Sequence, residues 1–381
     1  MKDFSLEVRG CHKFDATGAI SEPIYLSATY RHPAFRQSTG FDYGRVANPT
    51  RQVLEETIAA LEHGSRAWAV SSGMAAIQLV LQLFKPGDHV LLSEDLYGGI
   101  VRLASIYERY GVYFEYVDTR DLAVIESRIR PETRGIFIET PSNPMMFVSD
   151  IRGIAKLAHA NNALFIVDNT FLSPHFQRPL DLGADIIIHS GTKYLCGHND
   201  VICGFLITKG GLTDIESQVE LLAKSAGPTL SALDAWLMLR SIKTLGIRVE
   251  RQSESALHIA HFLKTLPEVT DVYYVGLPEH PGHELHKSQA AGFGGMISFK
   301  VRTPAIARNV LEHLKFIIYA ESLGGIETLL TYPLVQTHAE MPKELIERTG
   351  LDDYLLRLSV GIEDAEDIEQ DLQQALASAA K

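Results

Sequence analysis

Hydrophobic positions along the chain follow two alternating periods. Short apolar runs at 68–70, 89–92, 135–139, 164–167 and 185–189 read as buried strands. Between them, 75–84, 100–110 and 151–160 carry apolar residues at helical spacing. Strands separated by such helices predict βαβ units and an α/β architecture, with a mostly parallel sheet covered on both faces. Ahead of this region, residues 1–48 mix polar and aromatic positions with little periodicity, which predicts an extended arm packed on a neighbouring subunit. Thr50 is the expected cap of a helix running to Leu61. Residues 229–266 keep helical spacing without an internal proline and predict one long helix bridging two domains. Beyond it, strands at 269–274, 296–301 and 355–359 with helices between them predict a smaller α+β domain. The expected division is an arm (1–48), a large domain (49–245) and a small C-terminal domain (246–381).

With 381 residues, 46% of them hydrophobic, the chain is long enough for two or more cores. Its formal charge of −12, without a local Lys/Arg cluster, argues against a nucleic-acid partner. No apolar run approaches the roughly 18 residues of a membrane span, and the N-terminus lacks a signal-peptide core. The expectation is a soluble, cytoplasmic protein with no membrane partner. Cys11, Cys196 and Cys203 are too few for a disulfide framework or a four-thiolate metal site. Cys196 reads as a packed thiol. His280, His283 and His286 are spaced three apart, but Pro281 and Gly282 argue against a helix presenting them together; a polar loop is expected, and no metal.

The chemistry concentrates where apolar runs end. Ser190-Gly191-Thr192-Lys193 follows the run at 185–189, and Asp168-Asn169-Thr170 follows that at 164–167. A lysine is ordinarily a solvated surface residue and an Asp-Asn pair ordinarily a turn. Together, past the ends of two buried strands, they offer an amine for an imine and a carboxylate for a pyridinium nitrogen, the pairing pyridoxal 5′-phosphate (PLP) requires. Open α/β sheets bind ligands at such strand ends. Gly73 and Met74, between a strand and a helix, can give backbone N–H groups to a phosphate, and Ser190 and Thr192 can add hydroxyls. Asn143 suits the ring's phenolic oxygen, and Tyr97, before Gly98-Gly99, suits stacking on the ring. Arg357 stands in an apolar strand, where either a substrate carboxylate or an internal salt bridge would account for it. A nicotinamide dinucleotide site is argued against, because no Gly-x-Gly-x-x-Gly turn follows the first strand.

These residues resemble a known family. From Pro23-Ile24-Tyr25 to 357–364, with its signature at 185–197, the chain is similar to the Cys/Met-metabolism PLP enzymes of transsulfuration. That family comprises cystathionine γ-synthases, cystathionine γ- and β-lyases, methionine γ-lyases and homoserine-ester sulfhydrylases. The resemblance implies the aspartate aminotransferase-like fold (fold type I) and a dimer of dimers. It makes Lys193 the cofactor-linked lysine, Asp168 the pyridinium partner with Thr170 beside it, and Tyr97 the stacking ring and proton donor. It assigns the phosphate to Gly73, Met74, Ser190 and Thr192, with Tyr43 and Arg45 reaching the phosphate of the adjacent subunit. Asn143, Ser322 and Arg357 match positions at the substrate carboxylate or the cofactor edge, and Arg102 matches an arginine for a distal carboxylate. Glu321 resembles the glutamate of γ-synthases and cystathionine γ-lyases, Asp42 looks more like γ-synthases, and Gly99 departs from the cysteine usual in methionine γ-lyases. The implied activity leans towards cystathionine γ-synthesis from a homoserine ester and cysteine. Cystathionine γ- or β-lyase activity, or a silent PLP-fold binding protein, remain as alternatives.

Overall fold

The computed structural model describes residues 2–14 and 16–381. Seven strands form one sheet: β1 (Arg66–Val70), β2 (His89–Ser93), β3 (Tyr113–Val117), β4 (Thr133–Glu139), β5 (Leu164–Asp168), β6 (Ile186–Ser190) and β7 (Gly204–Thr208). Their order is β1-β7-β6-β5-β4-β2-β3; β7 pairs antiparallel with β1 and β6, and the other pairs are parallel. Alternate side chains feed two separate cores, as a sheet covered on both faces requires. Ile136, Phe165 and Ile187 pack under the helices Pro49–Leu61 and Ile151–Ala160, while Phe137, Ile166 and Ile188 pack under Gly73–Leu81 and Gly98–Glu108. Strands β3 and β7 escaped the sequence pattern: β3 is a half-exposed edge strand, and β7 lies close behind the glycine- and polar-rich segment that carries Lys193.

A second sheet holds β8 (Val269–Tyr273), β9 (Met296–Val301), β10 (Ile318–Tyr319), β11 (Leu329–Thr331) and β12 (Leu355–Ser359), in the order β10-β11-β12-β9-β8. Leu356 and Leu358 enter a core shared with the helices Leu245–Leu263, Pro304–His313 and Ala365–Ala379. Strand alternation therefore sends Arg357 to the opposite face.

Four expectations need correction. The long helix is two helices, Ala232–Ile242 and Leu245–Leu263. The buried Arg248 guanidinium makes the break affordable: it donates to Ser241 O (3.1 Å) and to Tyr194 O (2.8 Å), so the freed carbonyl keeps a partner. The cap before Leu61 is Asn48, whose side chain accepts from Arg51 N (3.2 Å); Thr50 is buried and donates to Pro23 O (2.8 Å). The arm is not extended throughout, since Asp3–Arg9 is a helix whose buried Glu7 accepts from Gly246 N (3.0 Å). Finally, His283–Gln289 is helical, and its two histidines lie stacked on Phe293 with ring nitrogens bonded to Val275 O and Gly292 O.

Candidate active site

Parallel register brings three strand ends to one level. Glu139 pairs with Asp168 across β4 and β5, and Asp168 pairs with Ile188, two residues before Ser190. A cavity of about 310 Å³ opens there, floored by these strand ends and walled by the turn 321–323 and Arg357 from the second sheet. All the residues singled out from the sequence line it except Tyr43, Arg45, Asp42 and Arg102.

Lys193 extends into the cavity and donates to Ser322 Oγ (2.8 Å). Burial, reinforced by the Arg357 guanidinium, lowers its amine to about 8, so a substantial fraction is neutral near pH 7.5. Ser322 holds the unusual φ of 126°, strain of the kind that persists at functional positions. Its carbonyl accepts from Arg357 Nη2 (3.1 Å), so one residue links the amine to the guanidinium.

Arg357 is 1% exposed, and burial lowers it to about 10. Nη1 donates to Asn143 Oδ1 (2.7 Å) and Nη2 also approaches Thr331 Oγ1 (3.4 Å), whereas buried Nε has no partner. Both proposals for this arginine are thereby separated: no carboxylate of the chain pairs with it directly among the described residues, and its fork is left one donor short.

Asp168 Oδ1 accepts from Thr170 N (3.0 Å) and Thr170 Oγ1 (2.5 Å), and that hydroxyl in turn accepts from Ser190 N (2.9 Å). Burial raises Asp168, opposed by the two Thr170 bonds and by the charge of His189. Glu139 is pushed well above the usual carboxyl range, by burial first and by Asp168 second. It is the main residue that sequence reasoning missed, although it ends an apolar run as Asp168 does. Thr337 also lines the cavity, on a loop that offers no sequence signal.

Gly73 begins the helix Gly73–Leu81, so its N–H and that of Met74 point outward without intrahelical partners. A side chain at Gly73 would meet Ser190 Cβ at 2.8 Å, so glycine is what lets this helix start reach the strand end. Thr192 lines the cavity, but its hydroxyl is turned to Cys203 O (3.2 Å). A Cβ on Gly99 would lie 2.5 Å from the Tyr97 ring, so glycine leaves room for that ring. These donors suit a phosphate and a flat ring carrying an aldehyde and a basic nitrogen, which is the chemistry of PLP.

Four residues stand elsewhere. The Arg102 side chain is 58% exposed and pairs with Glu340 outside the cavity. Asp42 accepts from Ser38 Oγ (2.5 Å) on the arm. Tyr43 is half-exposed, and Arg45 lies over its ring while donating to Lys224 O. Cys196 is buried and donates to Asp200 Oδ1 (3.2 Å), with burial raising its thiol, as a packed residue requires. No helix among the described residues is long and apolar enough to cross a membrane.

A sequence model described as Cys/Met metabolism PLP-dependent enzyme matches residues 5–377. The chain is 46% identical over 378 residues to cystathionine gamma-lyase of Bacillus subtilis, covering 99% of each. It is 47% identical over 378 residues to cystathionine gamma-synthase of Haemophilus influenzae, covering 99% of this chain and 98% of that one. A solved cystathionine gamma synthase from Xanthomonas oryzae pv. oryzae, in complex with cystathionine, superimposes with a TM-score of 0.97 at 39% identity over 100% of this chain and 99% of that chain.

Proposed function

The chain belongs to the Cys/Met metabolism family of PLP-dependent enzymes, so its cofactor is pyridoxal 5′-phosphate, and we propose that its reaction is γ-replacement. In this reading an O-acyl (or O-phospho) homoserine reacts with cysteine to give cystathionine. One observation carries it: the cavity holds two separate recognition groups, the unsaturated Arg357 fork and the Glu321 carboxylate. The fork suits the α-carboxylate of the homoserine ester, and Glu321 suits the ammonium of a second amino acid.

Pyridoxal phosphate held there would supply an electron-withdrawing pyridinium ring able to stabilise negative charge at the substrate Cα. Asp168 keeps that nitrogen protonated. Lys193, partly neutral at physiological pH, takes the Cα proton and returns it beside the ring. Ser322 Oγ holds the amine on course between those positions. Tyr97 stacks on the ring and gives a proton to the departing group. Arg357 and Asn143 fix the α-carboxylate, and Met74, Gly73, Ser190 and Thr170 fix the cofactor's edge and phosphate. Thr192 contributes after its hydroxyl leaves Cys203 O.

We assign residues 49–245 to the cofactor-binding domain and 246–381 to the smaller one. Tyr43 and Arg45 are assigned to the phosphate of a neighbouring subunit in a cytoplasmic dimer of dimers, with Asp42 and Arg102 at the mouth of the assembled site. Similarity to a γ-lyase at nearly the same identity supports cystathionine cleavage as the second reading.

The test is two incubations, one with cystathionine and one with O-acetylhomoserine plus cysteine. Cystathionine formation in the second supports the proposal. Rapid keto-acid release in the first, with negligible synthesis in the second, overturns it in favour of a lyase.

A further inference from the structure

The phosphate end of the cavity is built from neutral donors. Among the described lining residues the cations are Lys193 and Arg357, and these are engaged by Ser322 and Asn143. A phosphate dianion held there lacks a countercharge from its own subunit. Arg45 would supply one only from outside, and its aim depends on a turn of exposed backbone.

That turn is held by Arg51, a residue only 4% exposed. Its Nη1 donates to Gly44 O (3.0 Å), and Nη2 donates to Arg45 O (3.3 Å) and Val46 O (3.0 Å). Three successive carbonyls thus converge on one guanidinium. On its other side Nε lies 3.4 Å from Glu55 Oε1, one helical turn away, and the same oxygen accepts from Ala69 N (3.0 Å). Ala69 lies in β1, which runs straight into Ser72–Met74. A buried guanidinium is costly unless its donors are satisfied, and here they are spent on fixing backbone whose side chains face outward.

The geometry points to Arg51 as a positioning residue that aims Tyr43 and Arg45 at the cofactor phosphate of the neighbouring subunit. This rests on the arm reading given above. Through Glu55, the same device sets the arm's turn in register with the strand that leads to its own subunit's phosphate turn.

Subunit mixing tests it. Arg51→Gln is expected to weaken PLP binding about tenfold to a hundredfold, the scale of a misplaced contact. It is then unfolded and refolded together with Lys193→Ala, which has no imine-forming amine but an intact arm. If Arg51 serves the partner, hybrid dimers contain one site with both Lys193 and a sound arm. At limiting PLP they regain the visible imine band and activity of about a quarter of the wild-type sites, as random pairing of a two-fold dimer gives. No recovery with Arg51→Gln, alongside recovery with Arg45→Ala, overturns the assignment: Arg51 then acts within its own subunit. No recovery with either variant sinks the arm reading itself. Should Arg51→Gln fail to fold, Arg51→Lys keeps the charge without the three-carbonyl fork, and the same two outcomes apply.

Discussion

Glu139 and Asp168 stand directly opposite one another at the carboxyl ends of β4 and β5, both buried and both facing the cavity. Two adjacent buried carboxylates are costly to ionise together. Asp168 has two hydrogen bonds from Thr170 to hold a negative charge; Glu139 has one, from Tyr97 N (3.1 Å). Burial raises both carboxyls, and the charge of Asp168 raises Glu139 further.

Glu139→Gln, which copies the protonated acid, is expected to keep kcat/KM within about fivefold, a change near 1 kcal/mol. Asp168→Asn is expected to lose roughly 10²–10⁴, the scale of a misassigned protonation state. Steady-state kinetics on both variants decide it, and the reverse ordering would place the charge on Glu139.

Arg357→Lys cannot span Asn143 Oδ1, Ser322 O and an incoming carboxylate at once. The loss is expected to be about 2–5 kcal/mol and to appear mainly in KM for the homoserine ester. An unchanged KM would remove Arg357 from substrate binding.

Ser322→Gly should separate stability from activity. Glycine accepts φ 126° without strain, so the folded state gains about 1 kcal/mol net of the added chain entropy. Lys193 meanwhile loses its Oγ partner, so kcat falls. Ser322→Ala should lose activity without that gain. Thermal melts beside kcat report both.

His286 is fully buried, with its Nε2 bonded to Gly292 O (2.8 Å) and its ring on Phe293. Burial, helped by His280 and His283, lowers it to about 4. A folded value below the unfolded one, near 6.5, means stability that is present above pH 6.5 and lost as pH falls towards 4. Asp95 acts oppositely, since burial raises it to about 7 and its contribution is lost as pH rises towards that value. Comparing variants cancels such groups. His286→Phe should lose less stability than wild type between pH 7 and 4.5, by on the order of 1–3 kcal/mol, read from denaturant midpoints. Equal losses would show that His286 is not the source.

Much of the site was legible because its residues sit at the ends of apolar runs. Lys193, Asp168, Asn143 and Gly73 each follow a strand whose hydrophobicity announces it, and parallel pairing then brings strand ends together. Glu139 carried the same signal and was passed over. Arg102 shows the limit: its position matched a family pattern, but its partner Glu340 lies far along the chain. Arg248 and Arg51 were not legible, because a guanidinium that collects backbone carbonyls leaves no periodicity.

The sequence alone determined the α/β alternation, the strand-end placement of Lys193 and Asp168 and the class of cofactor, since local hydrophobic period and residue type suffice for these. Tertiary structure decided the break after Ile242, the buried pairing of Glu139 with Asp168, and the strained Ser322 joining amine to guanidinium. Those depend on distances between residues remote in the chain and on the burial that shifts their charges, and both exist only once the two sheets have packed.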